Sequence, residues 1–241
     1  MNGLNRVALV TGSAGNGIGR SIALTLAKKG IKTIINYRTS KSMADKVDNY
    51  IKQNNGESIS ISANILDKNQ CQEMIDKIIQ VYGRLDICII GPGAGWNPES
   101  PDKLNTKGSI QDFENEIKPI YNLFPILLPI MYKQNYGRII GMGMNPDYLS
   151  PAYAYNVGKI GRIAALELAY KEAWKHGVTI NTIAPGPIDG FESFEKAIQC
   201  LDSEVMKKRE KVNPQDVADI VLFLCSDRGR YITGNTIKMA F

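Results

Sequence analysis

Seven short β-branched runs separated by longer amphipathic stretches constrain this chain more than any other feature. The runs are Val7 to Thr11, Thr33 to Tyr37, Ser58 to Ser62, Asp86 to Ile90, Arg138 to Met142, Thr179 to Ala184 and a weaker Thr236 to Met239. Between them, apolar spacing predicts helices over Arg20 to Lys29, Met43 to Gln53, Gln70 to Tyr82, Phe113 to Lys133 and Val157 to Lys175. Strands such as Ile87-Cys88-Ile89-Ile90 are apolar throughout rather than alternating, which implies a sheet covered on both faces. The expected class is α/β: a seven-stranded, mostly parallel, doubly wound sheet with helices on both faces. At 241 residues, with no repeat or linker, residues 1–241 read as a single domain.

Local signals refine this outline. Asn213 reads as the N-cap of a last helix running to about Ser226, with Pro214 at its first position and Asp216 favoured by the helix dipole. Pro119, Pro125 and Pro129 fall inside the long helical stretch, and each costs about 3 kcal/mol in a regular interior. A kinked or interrupted helix is therefore expected there. Ser193 to Lys211 is the segment least tied to the sheet, so the region around 190–212 reads as a substrate lid or, equally, as an ordinary surface helix.

The net charge of +5 comes from scattered residues apart from Lys207, Lys208, Arg209 and Lys211, which Glu210 interrupts. That cluster reads as a solvated helix face, so no nucleic-acid partner is expected, while the positive balance suits an anionic cofactor. Cys71, Cys88, Cys200 and Cys225 form no CxxC pair and His176 is the sole histidine, which argues against a disulfide scaffold or a metal site. The N-terminus carries no apolar signal region, and no stretch reaches the roughly 18 apolar residues of a membrane span. No membrane partner and a reducing, cytoplasmic setting are expected.

Chemistry enters where the first run ends in Gly12-Ser13-Ala14-Gly15-Asn16-Gly17-Ile18-Gly19 and a helix follows at once. Glycines there permit a sharp turn, let backbone N–H groups approach a pyrophosphate and pack helix on strand, and the helix N-terminus favours the negative charge. Gly12, Ser13, Asn16, Gly17, Ile18 and Gly19 are thus candidate dinucleotide contacts. The second run ends Ile35-Asn36-Tyr37-Arg38-Thr39-Ser40 without the carboxylate that would accept from a ribose 2′-hydroxyl. Tyr37 and Arg38 are candidates there, with Arg38, Thr39 and Ser40 suited to a 2′-phosphate, so NADP(H) is preferred and NAD(H) stays possible. An exposed Arg at a strand end is the plainer alternative.

Tyr155-Asn156-Val157-Gly158-Lys159 puts a phenol and an ammonium on one helix face. A free phenol has a pKa of about 10, and a neighbouring cation lowers it toward the range useful for proton transfer. Together with the glycine turn and Asn181-Thr182-Ile183-Ala184-Pro185-Gly186-Pro187-Ile188, this constellation resembles the short-chain dehydrogenase/reductase family along nearly the whole chain. Further matches are Tyr82-Gly83-Arg84-Leu85-Asp86, Tyr136-Gly137-Arg138-Ile139-Ile140 and Tyr231-Ile232-Thr233-Gly234-Asn235-Thr236. The resemblance implies a single-domain Rossmann fold, a nicotinamide cofactor and hydride transfer to or from a substrate carbon. It implies Tyr155 as general acid/base, and Lys159 as a ribose ligand that depresses the Tyr155 pKa. It also implies cofactor contacts at Asn64, Ile65, Gly91, Pro92, Gly93, Pro185, Gly186 and Ile188, and a homodimer or homotetramer packed through the helices on either side of the catalytic strand and through the last strand, which apolar Leu123 to Met131 fits as well as core packing within one chain does.

Several positions depart from the family. The cofactor turn has four residues between Gly12 and Gly17 where three are usual, and Ile90-Gly91-Pro92-Gly93 replaces Asn-Asn-Ala-Gly. Gly141-Met142-Gly143-Met144-Asn145 stands where the family serine polarises a carbonyl, and methionine cannot donate such a bond. Asn145, Tyr148 and Ser150 are the possible replacements, Tyr148 being either a working group or pocket wall. A second tyrosine without the serine is similar to enoyl-thioester reductases. Glu116 falls where the family has a relay asparagine, with Asn115 and Asn122 nearby, and Gly190 falls where many relatives have threonine. The expected function is an NADP(H)-dependent oxidoreductase acting on a carbonyl or activated C=C of a small substrate, with Tyr155 as proton donor. The rivals are an enoyl-thioester reductase variant and a nucleotide-binding scaffold or sensor of low activity.

Overall fold

A computed structural model describes residues 5–91, 93, 95, 97–147, 151–201 and 212–239. Its strands are β1 (Val7–Val10), β2 (Lys32–Tyr37), β3 (Ser58–Ser62), β4 (Ile87–Ile90), β5 (Gly137–Met142), β6 (Val178–Ala184) and β7 (Thr236–Lys238). Its helices are α1 (Ile18–Lys28), α2 (Lys41–Gln53), α3 (Lys68–Tyr82), α4 (Thr106–Gln134), α5 (Tyr153–Trp174), α6 (Phe194–Gln199) and α7 (Pro214–Cys225). The strands form one sheet in the order β3-β2-β1-β4-β5-β6-β7. Every pairing is parallel.

The unbroken apolar runs have the meaning expected of them. Alternate residues of a strand point to opposite faces, so Leu9, Cys88 and Ile90 pack with Ile75, Leu127 and Leu166 on one side. Val10, Ile87 and Ile89 pack with Ile22, Leu26 and Val221 on the other. A third cluster joins α1 and α2 to Phe194 of α6, so the described start of the 190–212 region is docked, not loose. Residues 202–211 lie outside the described ones.

One of the two outcomes expected for the proline-bearing stretch, an interruption, is overturned: helix α4 runs unbroken for 29 residues with all three prolines inside it. Pro125 and Pro129 lie on the exposed face, and the carbonyls they leave without an N–H partner, those of Tyr121 and Pro125, belong to exposed residues as well. Water can serve those carbonyls, and packing along α5 holds the helix. Helix α5 also begins four residues earlier than expected, anchored where Glu99 N–H donates to the Pro151 carbonyl and Tyr153 N–H to the Glu99 carbonyl, both at 3.0 Å. This puts Tyr155 in the first turn of a long helix.

The start of α7 carries a full capping box: Gln215 N–H donates to Asn213 Oδ1 at 2.9 Å and Asn213 N–H to Asp216 Oδ2 at 2.8 Å. Replacing Asn213 by Ala should cost about 1 kcal/mol of stability, read as a lower urea midpoint at constant slope.

Candidate active site

Strand order reverses between β1 and β4, and in such sheets the crevice beyond the carboxyl ends at that point receives ligands. Thr11 ties the two ends together, its hydroxyl donating to the Ile89 carbonyl and accepting from Gly91 N–H, each at 2.9 Å. The turn that follows is built from behind by Asn36. Asn36 Oδ1 accepts from Gly12 N–H at 3.2 Å, its carbonyl accepts from Ser13 N–H at 3.0 Å, and its Nδ2 donates to the Ala63 carbonyl at 3.0 Å. Gly12 sits at φ 63°, open to glycine at little cost. A Cβ at Gly19 would lie 2.7 Å from the Gly12 carbonyl oxygen, so the bare backbone is what lets helix meet strand.

Two cavities flank this turn. The larger, about 770 Å³, is lined by Gly12, Ile18, Gly19 and Gly91, by Tyr155 and Lys159, and by Pro185, Gly186 and Ile188. Met142, Gly143, Met144 and Asp189 complete much of its wall. The smaller, about 240 Å³, shares Gly12 and gathers Arg38, Thr39, Asn64, Ile65 and Gly93. A bare-backbone cradle between a cleft and an Arg-bearing pocket is a place that could hold a dinucleotide.

Other predicted residues serve elsewhere. Ser13 is buried, with its hydroxyl donating to the Val10 carbonyl at 2.8 Å. Tyr37 packs against the α1, α2 and Phe194 cluster. Gly17 caps α1. Asn16 is exposed, and its carbonyl accepts from Phe191 N–H at 2.8 Å, where a Cβ on Gly190 would crowd it at 3.1 Å. Asn145 is a correction: its Nδ2 donates to the Met239 carbonyl at 3.0 Å and its Oδ1 accepts from Asp147 N–H at 2.9 Å. One end of that amide is held just past β7 and the other within its own loop, and Asn145 does not line the cleft. Tyr148, Ser150 and Pro92 lie outside the described residues.

Lys159 is buried, with Nζ 5.4 Å from the Tyr155 ring centroid and 3.2 Å from Glu116 Oε2. Arg162, also buried, places Nε 2.9 Å from the same oxygen while donating to the Glu116 main-chain carbonyl at 3.0 Å. Arg162 was not among the candidates: on a helix it looks like a polar-face residue, and only its partner 46 positions earlier explains its burial. Burial, then repulsion from Arg162, pushes the Lys159 ammonium down to about 8 against the pull of Glu116. The Tyr155 phenol moves up, chiefly through burial and the Glu116 carboxylate. The expected depression of Tyr155 is therefore reversed here, because the ammonium sits against a carboxylate within a desolvated seam.

A family model described as enoyl-(acyl carrier protein) reductase matches residues 12–240. A 3-oxoacyl-(acyl-carrier-protein) reductase of Staphylococcus epidermidis is 33% identical, covering 98% of this chain and 98% of the relative. One from Synechocystis is 32% identical, covering 97% and 95%. Among solved structures, an acetoin dehydrogenase of Salmonella typhimurium superposes with TM-score 0.84 at 22% identity, covering 98% and 94%. A 7α-hydroxysteroid dehydrogenase complexed with NADH and 7-oxo glycochenodeoxycholic acid also gives TM-score 0.84 at 22% identity, covering 98% and 93%. The two structures, at that identity, speak to the fold alone.

The depressed Lys159 has a sign that can be checked without a ligand. An unfolded lysine titrates near 10.4, so between about 8 and 10.4 the native chain has released a proton that the unfolded chain still holds. Stability contributed by this group rises with pH across that window. The stability of Lys159→Met relative to the parent, from urea unfolding, should therefore fall steadily from pH 8 to pH 10; a flat difference would contradict the shift.

Proposed function

Since the chain belongs to the short-chain dehydrogenase/reductase family, we propose that it is an NADP(H)-dependent oxidoreductase that reduces a small substrate, with Tyr155 as proton donor. The observation that carries this reading is the single cleft in which the glycine turn, Tyr155, Lys159 and the Pro185 to Ile188 segment meet. The cofactor, when bound, supplies hydride. Backbone at Gly12, Ile18 and Gly19 would hold its pyrophosphate and Arg38 its 2′-phosphate. Asn16, the last of the four residues between Gly12 and Gly17, is hydrogen-bonded to Phe191, and Gly12 lines the cleft.

The substrate we favour is a carbonyl of an acyl thioester. The named activity of the relatives supports it, as does a cleft wall of Met142, Met144 and Ile188 that suits an acyl chain. Tyr155 gives its hydroxyl proton to the oxygen that becomes negative as hydride adds, and Lys159 holds positive charge beside it. Raised by burial and the Glu116 carboxylate, the phenol holds its proton at neutral pH, the state in which it can donate. An enoyl thioester is the second reading. Gly141 to Met144 offers no hydroxyl for a carbonyl, and the matching family model bears the enoyl reductase description.

Two further parts of the reading concern setting. The thiols of Cys71, Cys88 and Cys225 are free and buried, consistent with a reducing cytoplasm. Exposed Phe113 and Tyr121 on α4, with Val157, Ile160 and Leu168 on α5, support a homodimer or homotetramer packed through these helices.

NADPH oxidation followed by absorbance should be seen with acetoacetyl or crotonyl thioesters, the faster of the two identifying the bond reduced. No oxidation with either, despite tight NADPH binding, would leave the scaffold reading in place. Tyr155→Phe should abolish turnover while cofactor affinity stays within about threefold; an unchanged rate removes Tyr155 as donor. Arg38→Ala should weaken NADPH by at least about tenfold and NADH little; equal losses would contradict the 2′-phosphate assignment.

A further inference from the structure

The seam between α4 and α5 holds a charge cluster that proton donation by Tyr155 does not by itself require. Glu116 enters it from α4, and Lys159 and Arg162 enter from successive positions of one α5 face. Their side chains are at most 8% exposed. Arg162 binds three elements at once. Beyond Glu116, its Nη1 donates to the Gly91 carbonyl at 3.0 Å, past the end of β4, and to the Met142 carbonyl at 3.4 Å, at the end of β5. The surroundings are shaped to the carboxylate: a Cβ at Gly93 would fall on it, and one at Gly158 would lie 2.9 Å from Glu116 Cγ.

Neither charge is tenable alone in such a place, because removing one partner of a buried pair leaves the other uncompensated. We propose that Glu116 and Arg162 are positioning residues for the reaction: Glu116 draws the Lys159 ammonium toward α4, Arg162 fixes that carboxylate in its ionised form, and their balance sets the protonation of the Tyr155 and Lys159 pair. The proposal rests on the reductase reading above and adds to it the groups that act through Lys159.

The electrostatics run in opposite senses. Glu116 raises both Lys159 and Tyr155, whereas Arg162 lowers both. Among the described residues, the charged or titratable groups facing the pair are Glu116 from α4 and Arg162 from α5, with Asp189 also lining the cleft. Toward Arg162 the ends of β4 and β5 present the carbonyls of Gly91 and Met142. A reductase needs the phenol and the ammonium both protonated, so lower values move the alkaline limb of the pH profile to lower pH.

The test uses Glu116→Gln, Arg162→Met and the double variant in the full chain, with NADPH and acetoacetyl thioester across the neutral and alkaline range. Each single variant should lose about tenfold or more in kcat. The alkaline limb of kcat/KM should move to lower pH in Glu116→Gln and to higher pH in Arg162→Met. The double variant, again neutral, should bring the limb back toward the parent and recover activity over either single change. Singles that move the limb the same way or leave it in place, or a double worse than both, would overturn the proposal. NADPH fluorescence titrated over the same pH range reads Lys159 without turnover, and its midpoint should shift in the same two directions. If the parent shows no turnover, the reductase reading fails while that titration still judges the pair. If one single variant does not fold by its thermal melt, the double variant and the remaining single decide on the same criteria.

Discussion

Strand β1 has to satisfy two parallel neighbours reached from opposite sides, and the rest of the molecule follows from that. A parallel strand can be joined to the next only by a crossover, and crossovers of one hand carry the chain first outward through β2 and β3 and then back to β4. The connections leaving β1 and β4 diverge, so no helix covers the gap above them. Thr11 bridges the floor of that gap, and Gly12, Gly91 and the α5 residues Tyr155 and Lys159 stand around it. Tyr155 and Lys159 sit on a 22-residue helix while the glycine-rich backbone is in the turn, a placement that suits a precise site.

The buried charges of the seam are not independent. The Glu116 carboxylate would be an uncompensated charge were Arg162 not there to meet it, and Arg162 would be untenable without the carboxylate and two carbonyls. The cluster of two cations and one anion leaves Lys159 with less hold on its proton than a surface lysine has. Gly93 and Gly158 give this charged seam its room.

Much of this architecture is legible in the chain itself because burial on both faces of a parallel sheet writes uninterrupted apolar runs, and β3 falls on the residues its run predicts. The cap at Asn213 is equally local and equally visible. What was misread depends on distant partners. Helix α4 keeps its prolines because two of them face water and α5 supports it, which propensity alone cannot express. Asn145 has the chemistry of a donor, but its partner is the Met239 carbonyl, 94 positions away. Arg162 reads as a surface residue until Glu116 is folded against it. Asn36 was overlooked for the same reason: nothing in its strand announces that it braces a turn 24 positions earlier.

The contact between Asn16 and Phe191 has a mechanical consequence. Asn16 of the turn is hydrogen-bonded to the segment leading into α6, and a Cβ at Gly190 would lie a tight 3.1 Å from it. The same strip of chain borders the cleft at Asp189. Turn and cleft border are thus tied by a direct backbone hydrogen bond, so that a displacement of one is carried to the other.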